Sequence, residues 1–91
     1  MKGISSFMDS SKSIREVYKE YIDIGRSSPI TVVIKDFTTK NGNTYHLIMI
    51  YTYKENKMTM HFSQSYKNCE LSDILLKKCQ ILASLSIDDS L

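Results

Sequence analysis

The sequence predicts an α+β fold in which one helix, three antiparallel strands and a second helix form two layers, with both helices on one face of the sheet. Three observations predict it. An amphipathic pattern precedes Gly25, three β-rich segments separated by short turns follow, and a leucine-rich amphipathic segment closes the chain. Because 91 residues suffice for one such core and not for two, residues 1–91 are expected to form a single domain, with its core at about 7–85 and an acidic tail at 86–91.

The first predicted helix depends on the i, i+3, i+4, i+7, i+8 spacing of one apolar face, which consists of Ile14, Val17, Tyr18, Tyr21 and Ile22. Charged residues lie between these positions and would form the opposite face. Several possible N-caps lie between residues 9 and 13, and Gly25 is expected to end the helix before Pro29. The final helix is predicted from about Glu70 to Leu85, with an inner stripe of Leu71, Ile74, Leu75, Leu82 and Leu85.

Three strands are predicted at 30–38, about 44–54 and 57–64, joined by the turns Asn41-Gly42 and Glu55-Asn56. Because side chains alternate along a strand, each face can be assigned. The face under the helices is predicted to carry Ile30, Val32, Ile34, Ile48, Ile50, Met58, Met60 and Phe62. The other face is predicted to carry Thr31, Lys35, Tyr45, Met49, Tyr51, Tyr53, Lys57, Thr59, His61 and Ser63.

Positive charge is concentrated on the predicted strands. Between residues 26 and 68 six basic residues stand against two acidic ones, a net charge of +4, whereas residues 1–25 sum to zero and residues 70–91 to −2. A sheet backed by helices and carrying this charge on its open side is suited to a polyanion such as RNA. Cations and hydroxyls would contact phosphates there, and tyrosines would stack on bases.

No grouping typical of catalysis is present, so an enzyme is not expected, and neither is a cofactor. His46 has no second metal ligand spaced with it, and Cys69 and Cys79 lack the spacing of a zinc site, so no metal is expected and both thiols should be reduced. The longest apolar run, Leu47–Tyr51, is too short to cross a membrane, and no signal-like segment follows Met1. A cytoplasmic location without membrane insertion is therefore expected.

The stretch Phe7–Phe37 is similar, without gaps, to the start of the fourteen-kilodalton subunit of the eukaryotic signal recognition particle. The similarity lies in Phe7-Met8-Asp9 before the first predicted helix, the turn Ser27-Ser28-Pro29, and Lys35-Asp36-Phe37 at the end of the first strand. The third predicted strand, KMTMHFSQS, and the leucine-rich segment after it also resemble this family. The chain departs from the family at Asp36 and Met49, where the family commonly has basic residues.

This resemblance implies a subunit that pairs with a nine-kilodalton relative into a composite sheet. Because a three-stranded sheet leaves open edges, a homodimer is expected where that relative is absent. The composite sheet would bind the Alu domain of the particle's RNA, and the particle would delay elongation on the ribosome during co-translational targeting to the endoplasmic reticulum. Matching positions carry a candidate RNA-binding role to Lys35, Lys57, Thr59 and Ser63. The same predicted face and the first hairpin loop add Thr31, Tyr51, His61 and Lys40.

Several of these residues also have a purely structural explanation. A single exposed histidine such as His61 is often inert, alternating tyrosines are favoured in strands, and lysines such as Lys57 commonly flank turns. Two other kinds of protein also fit the sequence. A double-stranded RNA-binding domain has the same predicted element order, although its last helix normally opens with a basic cluster. A small protein-binding or inhibitor module would instead use a sheet edge for strand addition.

Overall fold

Four antiparallel strands and one helix make up residues 14–87, the part of the chain that the computed structural model describes. Strands β1 (Arg15–Ile22), β2 (Ile30–Thr38), β3 (Thr44–Lys54) and β4 (Lys57–Lys67) precede helix α1 (Leu71–Ser84). The strands lie in the sheet in chain order, so β2 and β3 are central and β1 and β4 are at the edges. The predicted positions of β2, β3 and α1 are confirmed, and β4 continues three residues beyond its predicted end.

The predicted fold class is wrong at its first element, because residues 15–22 form a strand and not a helix. This segment pairs with β2. Without it, the backbone N–H and C=O groups along one edge of that buried strand would lack hydrogen-bond partners. A bulge between Glu16 and Tyr18 interrupts the alternation. It explains why the apolar spacing resembles a helix: Val17 and Tyr18 both pack against the core, while Tyr21 points away and is 63% exposed.

Both predicted hairpin turns form, each with residues in the left-handed region. In the first hairpin the Gly42 N–H donates to the Thr39 carbonyl at 3.0 Å, and Gly42 has a φ of +84°. In the second, Glu55 and Asn56 have φ values of +54° and +65°, the pattern of a two-residue type I′ turn. These short connections fix the register of β2 with β3 and of β3 with β4.

The core lies between the sheet and α1. Ile34, Ile48, Ile50 and Ile74 are fully buried, and the remaining members of the predicted helix stripe pack around them. The buried residues that the sheet contributes to this core thus lie on β2 and β3, as the sequence predicts, and partly buried residues of β1 and β4 pack against them. Burying side chains of this size contributes about 1.5–3 kcal/mol each.

A second bulge lies in β4. The odd-numbered and even-numbered residues of this strand exchange sides of the sheet at the bulge. Ile50 pairs with Phe62 and Tyr51 with Met60, so His61 is the additional residue. The extra residue reverses the alternation between the two halves. Met58 and Met60 therefore lie on the face away from α1, which corrects their predicted place in the core, whereas Phe62 packs under the helix as predicted.

The molecule is flat, with extents of 44 × 34 × 15 Å and a radius of gyration of 15.3 Å. A compact domain of this length has a radius of gyration of roughly 12 Å. The difference follows from the architecture, because one sheet with one helix forms a thin, broad body. Within residues 14–87, α1 is the one helix, and it packs on one side of the sheet.

Candidate nucleic-acid interface

The side of the sheet opposite α1, called the open face below, mixes aromatic, aliphatic, hydroxyl and basic side chains. Its members follow from the strand register and alternation. On the outer strands they are Glu16, Lys19, Tyr21, Met58, Met60, Ser63, Ser65 and Lys67. On the central strands they are Thr31, Val33, Lys35, Phe37, Tyr45, Leu47, Met49, Tyr51 and Tyr53.

One end of the open face carries an exposed group of aromatic and methionine side chains, called the aromatic corner: Tyr21, Tyr51, Tyr53, Met58 and Met60. Tyr51 and Tyr53 meet edge to face with ring centroids 5.6 Å apart. Tyr21 and Tyr53 are 63% and 53% exposed, and Met58 and Met60 are 46% and 41% exposed. Adjacent accessible apolar side chains of this kind are typical of a surface that contacts a ligand.

The opposite end of the face holds a second aromatic pair. The rings of Phe37 and Tyr45 are stacked, with centroids 5.2 Å apart and planes 10° apart. Lys67 is the cross-strand neighbour of Tyr45 on β4 and is exposed. Tyr45 and Tyr53 are eight residues apart on β3, so the two aromatic groups are separated by about 27 Å.

Positive charge prevails on the open face. Lys19, Lys35 and Lys67 lie on it, and Glu16, the partner of Lys35 across β1 and β2, is the one acidic residue among the strand positions assigned to this face. The Lys19 ammonium lies over the ring of Tyr21, 5.3 Å from its centroid. This cation therefore lies directly beside the aromatic corner, where it can meet a phosphate whose base contacts a ring.

The middle of the open face is closed to solvent. Thr31 and Val33 are 5% and 3% exposed. In the register Thr31 lies between Tyr21 and Tyr51, and Val33 lies between Lys19 and Met49. Contacts with a large ligand would therefore come from the longer side chains around these two residues.

The structure brings together only part of the predicted RNA-contact set. Lys35, Tyr51 and Ser63 lie on the open face as predicted. Thr31 also lies there but is buried, so its hydroxyl is not presented at the surface. Lys40 lies in the exposed turn between β2 and β3, beside the face and not on it.

Lys57, Thr59 and His61 lie on the helix side of the sheet, which corrects their predicted facing. Lys57 pairs with Lys54, and Thr59 pairs with the buried Thr52. His61 shares a 2.9 Å hydrogen bond with the Thr52 hydroxyl. An unbroken strand would place these three residues on the same side of the sheet as Ser63. The bulge at His61 shifts the alternation of side chains, so that they lie on the other side.

Five residues of the aromatic corner and of the basic part of the open face were not predicted to lie there: Lys19 and Tyr21, which were predicted in a helix, Met58 and Met60, which were predicted in the core, and Lys67. Lys67 lies beyond the predicted end of β4. The one available signal was the abundance of aromatic and β-branched residues in REVYKEYI, which favours a strand.

The helix side of the sheet holds a charged group with a structural role. Lys78 of α1 is 7% exposed, and its ammonium donates to the Glu20 carboxylate at 3.2 Å and to the Tyr18 hydroxyl at 3.3 Å. Tyr18 in turn donates to Glu20 at 2.9 Å. This bond lowers the pKa of Glu20 against the opposing effect of burial, with a further contribution from Lys78. Burial lowers the pKa of Lys78, but the contacts with Glu20 and Tyr18 outweigh it and the net shift is upward.

No cluster of three or more metal-ligating side chains occurs within residues 14–87. His46 is 6% exposed, and its Nδ1 has no hydrogen-bond partner in the described part of the chain. Cys69 and Cys79 are free thiols.

Within residues 14–87, no helix is both long and apolar enough to span a membrane.

Comparisons with protein-family models, with curated proteins and with solved structures give no significant match. The similarity to the signal recognition particle subunit therefore depends on the short stretches quoted above. Part of the longest stretch, residues 15–22, forms a strand where that family is expected to have a helix.

Proposed function

We propose that this chain binds RNA through the open face of its sheet. The observation that carries the proposal is the coincidence of three lysines with two aromatic groups on the side of the sheet that α1 leaves uncovered. Phosphate contacts need cations, and bases need flat rings or apolar side chains to stack on. Both are found here on the same side of the sheet.

Charge favours a polyanion over a second copy of the chain on this face. If two copies were stacked through their open faces, two surfaces would meet that each carry Lys19, Lys35 and Lys67 against the single acidic residue Glu16 of the assigned strand positions. Like charges placed together at an interface cost several kcal/mol. RNA would instead neutralise these cations and release counterions.

The specific form of this proposal is the role implied by the resemblance: a cytoplasmic subunit of the signal recognition particle that binds its Alu-domain RNA. The proposed nine-kilodalton partner would pair along an outer strand, since β1 and β4 each have one side without a partner strand among the described residues. The open-face lysines support RNA binding in general. The support for the particle in particular is the sequence similarity alone.

A protein-binding module is the second candidate, because the outer strands offer backbone groups for strand addition. β4 is the longer of the two, with eleven residues, most of them exposed. However, both outer strands contain a bulge, which is one way in which proteins prevent edge-to-edge pairing. Charge on the open face and bulges at the edges together favour RNA.

The test is a titration of the chain, alone and with the nine-kilodalton subunit, against labelled Alu-domain RNA at about 50 and about 200 mM salt. Two matched variants locate the interface. Lys67→Glu and Lys57→Glu make the same change in charge at the two ends of β4, where both lysines are exposed but point to opposite sides of the sheet.

We expect the wild-type chain to bind with an affinity that falls steeply with salt. Lys67→Glu should weaken binding several-fold and reduce the salt slope by about one, because one phosphate contact is lost. Lys57→Glu should bind like the wild type, apart from a small long-range effect of charge. Equal losses in both variants, or a larger loss with Lys57→Glu, would contradict the assignment of the open face, and no RNA binding in any form would favour the protein-binding module.

A further inference from the structure

We infer that the RNA bound by the open face is single-stranded, with unpaired bases stacked on the aromatic corner. This inference depends on the proposed function, since it names the form of RNA that the same surface would take. It commits the aromatic corner to bases and the open-face lysines to phosphates.

The accessible part of the open face is the first reason. Tyr21 and Tyr53 present more than half of their surface to solvent, and Met58 and Met60 more than two fifths. These four side chains surround the half-buried Tyr51. Side chains exposed in this way can stack on the flat surface of a base, and the bases of a duplex do not offer that surface because they are stacked on one another.

The arrangement of charge is the second reason. Duplex RNA is held mainly through phosphates and 2′-hydroxyl groups. Near the aromatic corner the open face offers a single lysine, Lys19, whose ammonium is already over the Tyr21 ring. One cation beside several rings provides little for a duplex backbone. It does suit a strand whose bases supply much of the binding energy.

The spacing along β3 is the third reason. Lys35 is paired with Leu47, six residues from Tyr53, so that lysine lies about 20 Å from the aromatic corner along the strand direction. Lys67 is paired with Tyr45, which lies two residues beyond Leu47 on β3 and is therefore still further from the aromatic corner. A flexible single strand can follow such a line of rings and cations over a short stretch of nucleotides.

The experiment compares the affinity of the full chain for an unstructured RNA oligonucleotide, such as an oligouridylate, with that for a perfect RNA duplex of the same length. The diagnostic variant is Tyr53→Ala, which removes an exposed ring from the aromatic corner. Tyr53→Phe is the conservative control because it keeps the ring. Leu76→Ala is the control for loss of an exposed apolar side chain, since Leu76 is 60% exposed on α1.

We expect the single strand to bind more tightly than the duplex. Tyr53→Ala should weaken single-strand binding about tenfold, as is typical for the loss of one stacked base, whereas Leu76→Ala should leave it unchanged and Tyr53→Phe, which keeps the ring, should cost much less than Tyr53→Ala. Circular dichroism should show the same fold for all variants, because Tyr53 is exposed. A second substitution, Tyr21→Ala on β1, should give a similar loss.

Two results would overturn the inference in distinguishable ways. Equal or tighter binding of the duplex, with no effect of Tyr53→Ala or Tyr21→Ala, would contradict single-strand recognition while leaving RNA binding by the lysines in place. Binding of neither RNA would refute the proposed function together with this inference.

Discussion

Lys78 is a buried cation whose charge is retained because two partners on β1 meet it. Its side chain loses most of its hydration in the space between α1 and the sheet, and an unpaired charge there would be costly. The contacts with Glu20 and Tyr18 compensate and attach the helix to the edge strand. Removal of one partner from such a group is more damaging than the net value of the pair suggests, because the remaining charge stays buried.

The pH dependence of stability should reveal this contact. The pKa of Glu20 is lowered from its ordinary value of 4.5, so its contribution is present above that value and is lost as the pH falls through the lower, folded pKa. The pKa of Lys78 is raised above 10.5, so its contribution is lost only as the pH rises through that higher value. Between these limits the contact is intact.

Glu20→Gln should therefore lower the free energy of unfolding by about 1 kcal/mol at pH 7, since a charge-assisted bond becomes a neutral one on a partly exposed side chain. The difference from the wild type should shrink as the pH falls below 4. Urea unfolding between pH 7 and 2 measures this. Glu70→Gln, at an exposed carboxylate without a side-chain cap bond, is the matched control. A difference between wild type and Glu20→Gln that stays constant with pH would contradict the assigned role.

At the scale of the element, β1 shows why part of the fold could not be predicted from the sequence. Its apolar residues have the spacing of a helix face, and the bulge after Glu16 produces that spacing in a strand. What decides the outcome is the pairing with β2, a long-range contact that no local pattern reveals. β2, β3 and α1 were predictable because local propensity, turn residues and burial pattern agree in each of them.

β4 shows the same limit for the candidate site. Its seven residues from Lys57 to Ser63 alternate so regularly that one unbroken strand is the natural interpretation. The bulge at His61 reverses the faces of the first half, which moves Lys57 and Thr59 away from the open face and brings Met58 and Met60 onto it. Lys35 and Tyr51 were placed correctly because β2 and β3 pair without interruption.

The turn between β3 and β4 offers a prediction about stability. Glu55 has a φ of +54°, a conformation that costs an ordinary L-residue about 1 kcal/mol or more. Replacing Glu55-Asn56 with Asn-Gly, the pair preferred in type I′ turns, should raise the free energy of unfolding by about 1 kcal/mol. Thermal unfolding should show an increase in Tm of about 4–8 °C.

The first hairpin provides a control for this prediction. Position 42 has a φ of +84° and already carries glycine, the residue that this angle favours. Gly42→Ala has space for the added methyl group but should still lower Tm, because the backbone conformation is strained for alanine. If both changes left Tm unaltered, the backbone angles assigned to the two turns would be wrong.

At the scale of the whole molecule, the thin two-layer architecture separates stability from the proposed binding. The isoleucine core and the Lys78 contact lie between the sheet and α1, whereas the open face carries the lysines and the aromatic corner. Substitutions of exposed residues on the open face should therefore affect binding with little change in stability. The reverse should hold for buried residues such as Ile74, where replacement by alanine should cost about 2–5 kcal/mol.

The measurement that tests the central claim most directly is methyl NMR of the chain labelled at methionine and isoleucine during an RNA titration. Met49, Met58 and Met60 report on the open face, and Ile48, Ile50 and Ile74 report on the buried side. We predict large shifts of the three methionine signals on addition of single-stranded RNA and small shifts of the three isoleucine signals. Unchanged signals from these methionines in an RNA-bound sample would show that RNA binds elsewhere and would contradict the account.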